Sequence, residues 1–183
     1  MIFNDKKIIL KDGETAVLKT PDIKDAEMML YNIKTASGET DFLTRYPEFW
    51  DDVSLESEEN WIRSMRESEN NLVIACYIDE KPVGSCDITF FNGCKSFHRA
   101  GLGISITKKY WNLGIGSAMF EALLETAQNH GGTEIVELEF IEGNERAVAL
   151  YKKFGFEVAC IAPKAYKLKD GTYQGKVYMQ KYL

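Results

Sequence analysis

Apolar residues along this chain change their spacing from one stretch to the next, and the period separates helices from strands. Ile23, Ala26, Met29, Leu30 and Ile33 recur every three to four residues and predict a helix over 22–36. Trp61, Ile62 and Met65 predict a second over 57–69. Ile115, Ala118, Met119, Ala122, Leu123 and Ala127 predict a third, which Asn129, Gly131 and Gly132 close. Ala147, Leu150, Tyr151 and Phe154 fall at i, i+3, i+4 and i+7 and predict a fourth, capped by Asn144 and ended by Gly155. Between the helices lie short β-branched and aromatic runs bounded by turn residues. Residues 8–10 and 15–19 flank Lys11-Asp12-Gly13-Glu14 as a hairpin. Residues 72–78, 82–91 and 97–107 follow across Asp79-Glu80-Lys81 and Asn92-Gly93. One strand, 134–140, separates the last two helices, and 156–163 and 177–183 end the chain around a turn at Asp170-Gly171. The order is strand, two helices, three strands, helix, strand, helix, two strands, which is an α/β chain.

Two segments carry chemistry beyond packing. Gly103-Ile104-Ser105-Ile106-Thr107 reads as a strand end and runs through residues 108–113 into a helix whose first turn holds Gly114 and Gly116. Such a turn offers bare backbone N–H groups at the positive end of the helix dipole, an anion site suited to a pyrophosphate. A Gly-x-Gly pair alone is a weak signal. The Gly-x-Gly-x-x-Gly fingerprint of dinucleotide oxidoreductases is missing, because residue 119 is methionine. In the second segment, Tyr151 carries a hydroxyl onto an inward apolar stripe. By packing alone it reads as a core tyrosine with a satisfied hydroxyl.

Taken together, Asn-x-x-Ala-x-x-Leu-Tyr-x-Lys-x-Gly-Phe over 144–156 and the glycine turn at 114–116 resemble the GNAT superfamily of acyl-CoA-dependent N-acetyltransferases. The resemblance covers residues 72–183. It implies a central, mostly antiparallel twisted sheet of about seven strands with four helices, a V-shaped opening between the fourth and fifth strands, and one domain over 1–183. It implies acetyl-CoA as cosubstrate, its pyrophosphate on Asn112, Leu113, Gly114, Ile115, Gly116 and Ser117. The thioester would lie against Ile104 and Ile106, and the pantetheine arm beside Asn144 and Ala147, with Lys153 completing the motif. Tyr151 would be the general acid that protonates the departing thiolate. Trp111 departs from the family's Arg or Gln and removes a side-chain contact to phosphate; Lys108 replaces a common proline. The implied activity is direct acetyl transfer to a primary amine of a small molecule or peptide. The alternative is a catalytically idle acyl-CoA-binding or regulatory module of the same fold, against which Tyr151 argues.

The amine must be neutral to attack. A lysine-like amine costs roughly 4–5 kcal/mol to deprotonate at pH 7, an α-amine only about 1 kcal/mol. Candidate bases are Glu39 and Asp41, in the loop that would line the acceptor entrance, then Asp87, Glu137 and Glu139. Glu137 and Glu139 share a strand face that reads as well as solvated surface. Phe42, Arg45 and Tyr46 would shape the pocket, with Arg45 a partner for an acceptor carboxylate; His98 lacks a neighbour to orient it. Lys108, Lys109, Lys152 and Lys153 are candidates for the CoA 3′-phosphate.

A net charge of −6 argues against a nucleic-acid partner and favours cationic ones, or solubility alone. Cys76, Cys86, Cys94 and Cys160 have no Cys-x-x-Cys spacing, and only His98 and His130 are present, so no metal is expected. The N-terminus lacks a secretory pattern and no apolar run approaches the ~20 residues of a membrane span, which places the chain in the cytoplasm without a membrane partner. A homodimer is left open.

Overall fold

The computed structural model describes residues 1–183. One mixed sheet of eight strands forms its centre: β1 (Lys6–Ile9), β2 (Thr15–Lys19), β3 (Asn71–Ile78), β4 (Lys81–Phe90), β5 (Arg99–Ile106), β6 (Ile135–Ile141), β7 (Glu157–Lys167) and β8 (Tyr173–Tyr182). Their spatial order is β1-β2-β3-β4-β5-β6-β8-β7. The N-terminal hairpin contributes two strands, so eight stand where about seven were expected.

All neighbours are antiparallel except β5 and β6. That parallel pair lasts only from Arg99 opposite Ile135 to Leu102 opposite Leu138. Beyond it, Gly103 to Ile106 stay on β4, opposite Asp87 to Gly84, while Glu139 to Ile141 stay on β8. The sheet therefore splits beside the parallel pair, between the fifth and sixth strands; the extra hairpin strand shifts the count by one.

Helices α1 (Ala26–Gly38) and α2 (Leu55–Glu67) cover one face, and α3 (Ile115–Asn129) and α4 (Glu145–Lys153) the other. Strand residues alternate between faces. Ala75 and Tyr77 of β3 accordingly pack with Ala26, Met29 and Ile62, while Ile74 and Cys76 pack with the core that holds Met119 and Leu123. Both faces covered is why β3 is buried almost without interruption. Phe120 is fully buried, its ring 5.2 Å from Tyr151, 5.5 Å from Phe154 and 5.9 Å from Phe156. It is the joint between α3 and α4, and truncation to alanine there costs about 3–5 kcal/mol.

Local chemistry moves some boundaries. The Ser54 hydroxyl accepts from the Ser57 amide at 3.1 Å, so α2 starts at Leu55 rather than 57. Helix α1 runs on through Ser37, whose hydroxyl accepts from Trp50 Nε1 at 2.9 Å, tying a short 3₁₀ turn, Pro47–Asp52, to the helix end. Strands β7 and β8 are longer than their apolar runs suggest. Strand β7 is the outer edge; its register breaks between Val158 and Cys160 and between Ala162 and Tyr166, and Lys164 has φ 55°. No helix is long and apolar enough to cross a membrane.

Candidate active site

The split sheet opens into two cavities. The first, about 360 Å³, lies between the end of β5, the first turn of α3 and the inward face of α4. It collects Ile104, Ile106, Asn112, Gly114, Ile115, Gly116, Ser117, Asn144, Ala147, Tyr151 and Lys153. Of the residues expected at the cofactor, only Leu113 lies off its wall; its carbonyl instead accepts from the Lys11 amide at 3.0 Å. Asn112 (φ 65°) and Gly114 (φ 98°) turn the chain into α3. The first α3 amide with a helical partner is that of Ala118, which donates to the Gly114 carbonyl at 3.1 Å. The amides of residues 115–117 ahead of it are thus left for a ligand. Gly116 has a second reason to lack a side chain: a Cβ there would lie 3.2 Å from Leu150 Cδ2, so the glycine also lets α4 approach α3.

Charge in this groove is of one sign. Lys11, Arg146 and Lys153 line it, and no carboxylate does. Lys153 Nζ donates to Ser117 Oγ at 3.0 Å, holding an ammonium over the start of α3. Trp111 donates from Nε1 to the Ile106 carbonyl at 2.6 Å, and the Arg146 guanidinium lies 3.1 Å from the Trp111 ring centroid. Lys108, Lys109 and Lys152 do not line the groove. Arg146 sits in the recognised motif, yet its stacking on Trp111 depends on how α4 meets α3. Lys11, read only as a hairpin-turn residue, arrives through a long-range contact with no local signal.

The second cavity, about 620 Å³, has aromatic walls that include Phe42, Phe49, Trp50, Trp61 and Phe140. Its charged residues are Glu58, Asp87, Glu139 and Arg45. Asp87 stands opposite Gly103, one residue beyond the last parallel pair, at the base of the split. A Cβ at Gly103 would lie 2.6 Å from Asp87 Oδ1, so the glycine makes room for the carboxylate. Desolvation pushes the Asp87 pKa up to about 6. Glu58, on α2, is 8% exposed, and burial pushes its pKa up to about 7. Glu139 accepts from Lys176 at 3.0 Å. The Arg45 guanidinium rests on Phe49 and Trp50, 4.4 and 5.4 Å from their centroids.

The loop carboxylates sit elsewhere. Glu39 Oε2 accepts from the Lys108 amide at 2.5 Å, Asp41 is exposed, and neither lines a cavity. Glu137 pairs with Arg99, Tyr46 accepts from the Lys169 amide at 3.0 Å, and His98 lies outside both cavities. Glu58 was missed as a site residue, although it lies three and four positions before Trp61 and Ile62 and so shares their buried stripe. No three His, Cys, Asp or Glu side chains cluster as a metal site.

Six residues line both cavities: Phe42, Leu43, Ile104, Ser105, Asn144 and Tyr151. Asn144 caps α4 by accepting from the Ala147 amide at 3.2 Å. Two turns beyond Asn144, Tyr151 is 6% exposed. Burial pushes its pKa up to about 12 while the Arg146 charge pulls the other way. At neutral pH its hydroxyl is therefore a proton donor at the junction of the two cavities.

The family model described as "Acetyltransferase (GNAT) family" matches residues 36–156. The chain is 32% identical over 107 residues to the L-amino acid N-acetyltransferase AaaT of Escherichia coli, covering 58% of this chain and 65% of that protein. It is 38% identical over 58 residues to the probable N-acetyltransferase san of Drosophila melanogaster, covering 32% of each. The matches thus span less than two thirds of either relative. Among solved structures, an acetyltransferase of the GNAT family from Streptococcus pneumoniae superposes with a TM-score of 0.84 at 26% identity, over 92% of this chain and 99% of that one. The fold also matches yncA of Salmonella typhimurium, solved with its cofactor acetyl-CoA, with a TM-score of 0.77 at 15% identity, over 92% and 94% of the two chains.

Proposed function

Since this chain belongs to the GNAT acetyltransferase family, and so is an acyltransferase, we propose that it moves the acetyl group of acetyl-CoA directly onto a primary amine. The observation that carries this reading is that Tyr151 lines both a cationic groove and an acidic chamber. The groove takes the CoA. Free amides of residues 115–117, the helix dipole, and Lys11, Arg146 and Lys153 suit a pyrophosphate and its neighbouring phosphate. Arg146, stacked on Trp111, supplies from α4 the guanidinium that position 111 lacks. The edge of residues 103–106 that faces away from β4 has no strand partner, so apart from the Ile106 carbonyl, which Trp111 occupies, its backbone groups are open to the amide-bearing pantetheine arm.

The chamber takes the amine. Asp87 accepts a proton from the ammonium; raising its pKa from 3.8 to about 6 narrows the gap to an amine by about two units, or about 3 kcal/mol. The amine lone pair attacks the thioester carbonyl carbon to form a tetrahedral oxyanion. As the C–S bond breaks, Tyr151 donates its proton to the thiolate, and the nitrogen sheds its second proton to solvent and becomes an amide. Asp87 passes its proton to solvent and Tyr151 is reprotonated from solvent, so each turnover yields one acetyl-amine, one free CoA thiol and one proton. In this scheme Glu39 ties its loop to the Lys108 amide, Asp41 takes no part, and the work is done in the cytoplasm.

The test is CoA thiol release from acetyl-CoA with a panel of monoamines, diamines, amino acids and short peptides. Amine-dependent release is expected. Tight CoA binding with no release on any amine would mean a binding module.

A further inference from the structure

The chamber contains two carboxylates with nothing to neutralise them. Glu139 is held by Lys176, and the only cationic wall residue, Arg45, lies against Phe49 and Trp50. Asp87 and Glu58 have neither an ion pair nor a side-chain hydrogen bond, and burial is the one influence on each. They stand on separate elements, Asp87 on β4 where the sheet splits and Glu58 in the first turns of α2. Glu58 is more than nine-tenths buried and faces the cavity. A buried carboxylate without a partner is costly, and such groups in native proteins are paired or neutralised by what binds them. Asp87 serves the reacting nitrogen, which leaves Glu58 without a role in the chemistry.

The remaining walls narrow what would fill that role. Trp50, Trp61 and Phe49 offer aromatic faces, which attract ammonium groups and pack against an alkyl stem. An acceptor carrying its own carboxylate would bring a third negative charge into a space with a single arginine, whose guanidinium lies on Phe49 and Trp50. Resting on the acetyl-transfer reading above, we propose that the acceptor is a small alkyl diamine or polyamine, one nitrogen acetylated beside Asp87 and Tyr151 and a second, still protonated, docked on Glu58. Glu58 is thus the specificity-determining anchor, and it discriminates by charge at the far end of the acceptor.

The test compares kcat/KM for a diaminoalkane, the monoaminoalkane of the same chain length and the matching ω-amino acid, with acetyl-CoA saturating. A buried charge-assisted hydrogen bond predicts a preference for the diamine over the monoamine of about tenfold or more, with the ω-amino acid lowest. In Glu58→Gln the diamine-to-monoamine ratio should collapse to about threefold or less, because the amide keeps the shape and removes the charge. The wild-type comparison stands even if the variant misfolds, which thermal unfolding would reveal. Equal kcat/KM for diamine and monoamine, a preference for the ω-amino acid, or a diamine preference undiminished in a folded Glu58→Gln protein would each overturn the assignment while leaving acetyl transfer intact. No thiol release with any amine would overturn both.

Discussion

The groove and the chamber share the Tyr151 wall and carry opposite charge. The groove holds Lys11, Arg146 and Lys153 with no carboxylate; the chamber holds Glu58, Asp87 and Glu139 with an arginine stacked on aromatic rings. The net charge of −6 would by itself put negative potential over both. The groove escapes because three cationic side chains line it and the unpaired amides of an α3 start, which Asn112 and Gly114 turn into place, add the positive end of a helix dipole. The chamber depends on side chains alone, buried at a cost. Two substrates of opposite charge can thus meet without competing for one another's site.

The sharpest break of this contrast is at the wall itself. Tyr151→Phe should lower kcat by about 100-fold or more while leaving acetyl-CoA affinity within about twofold, since it removes a proton donor and no binding surface. Steady-state kinetics beside calorimetric titration measures both, and an unchanged kcat would hand thiolate protonation to water. Next comes Gly114→Asp, which sets a carboxylate against the unpaired amides and forces a side chain onto φ 98°. Acetyl-CoA affinity should fall by about tenfold or more in the same titration. Undiminished affinity would put the phosphates elsewhere.

The cost side of the chamber is tested by stability. Burial raises the Glu58 pKa from 4.5 to about 7, so the folded state binds that proton more tightly than the unfolded one. Stability from this group is complete below pH 4.5 and is lost as pH rises through 7. Glu58→Gln should therefore match wild type at pH 4 and exceed it at pH 8. With allowance for water in the open chamber, the gain is about 1–2 kcal/mol, read from denaturant curves at the two pH values. A loss of stability at pH 8 would mean the carboxylate has a partner. The smallest effect belongs to Lys11→Ala, which should raise the KM for acetyl-CoA about two- to threefold at low salt and lose that effect near 1 M salt, where charges are screened within about 3 Å.

Periodicity made most of the architecture legible, because helix and strand spacing differ and each element buries one face. It was least able to place the edges: a hydroxyl cap moved the start of α2, and pairing with β8 lengthened β7 past its apolar run. The groove was legible because most of its residues lie in two short segments, 104–117 and 144–153, each with its own backbone reason for being there; Lys11 and the loop after α1 are the exceptions. The chamber was legible only in part: Phe42, Arg45, Asp87 and Glu139 were named from sequence, but Glu58 and the tryptophan walls were not, because the chamber draws on α2, β4, β5, β6 and the loop after α1, which meet only in the folded chain. Glu39 and Asp41 show how this misleads: they stand in the entrance loop, but one carboxylate is spent on the Lys108 amide and the other faces water.

Strand β7 has a consequence for life at high concentration. Eleven residues long and exposed along most of its length, it displays Val158 and Ile161 at the border of the sheet. A neighbouring molecule laying a straight strand against it would lose registry at each of the two kinks and find no amide hydrogen at Pro163. Bulges and a proline are features that blunt a sheet border against pairing with another strand.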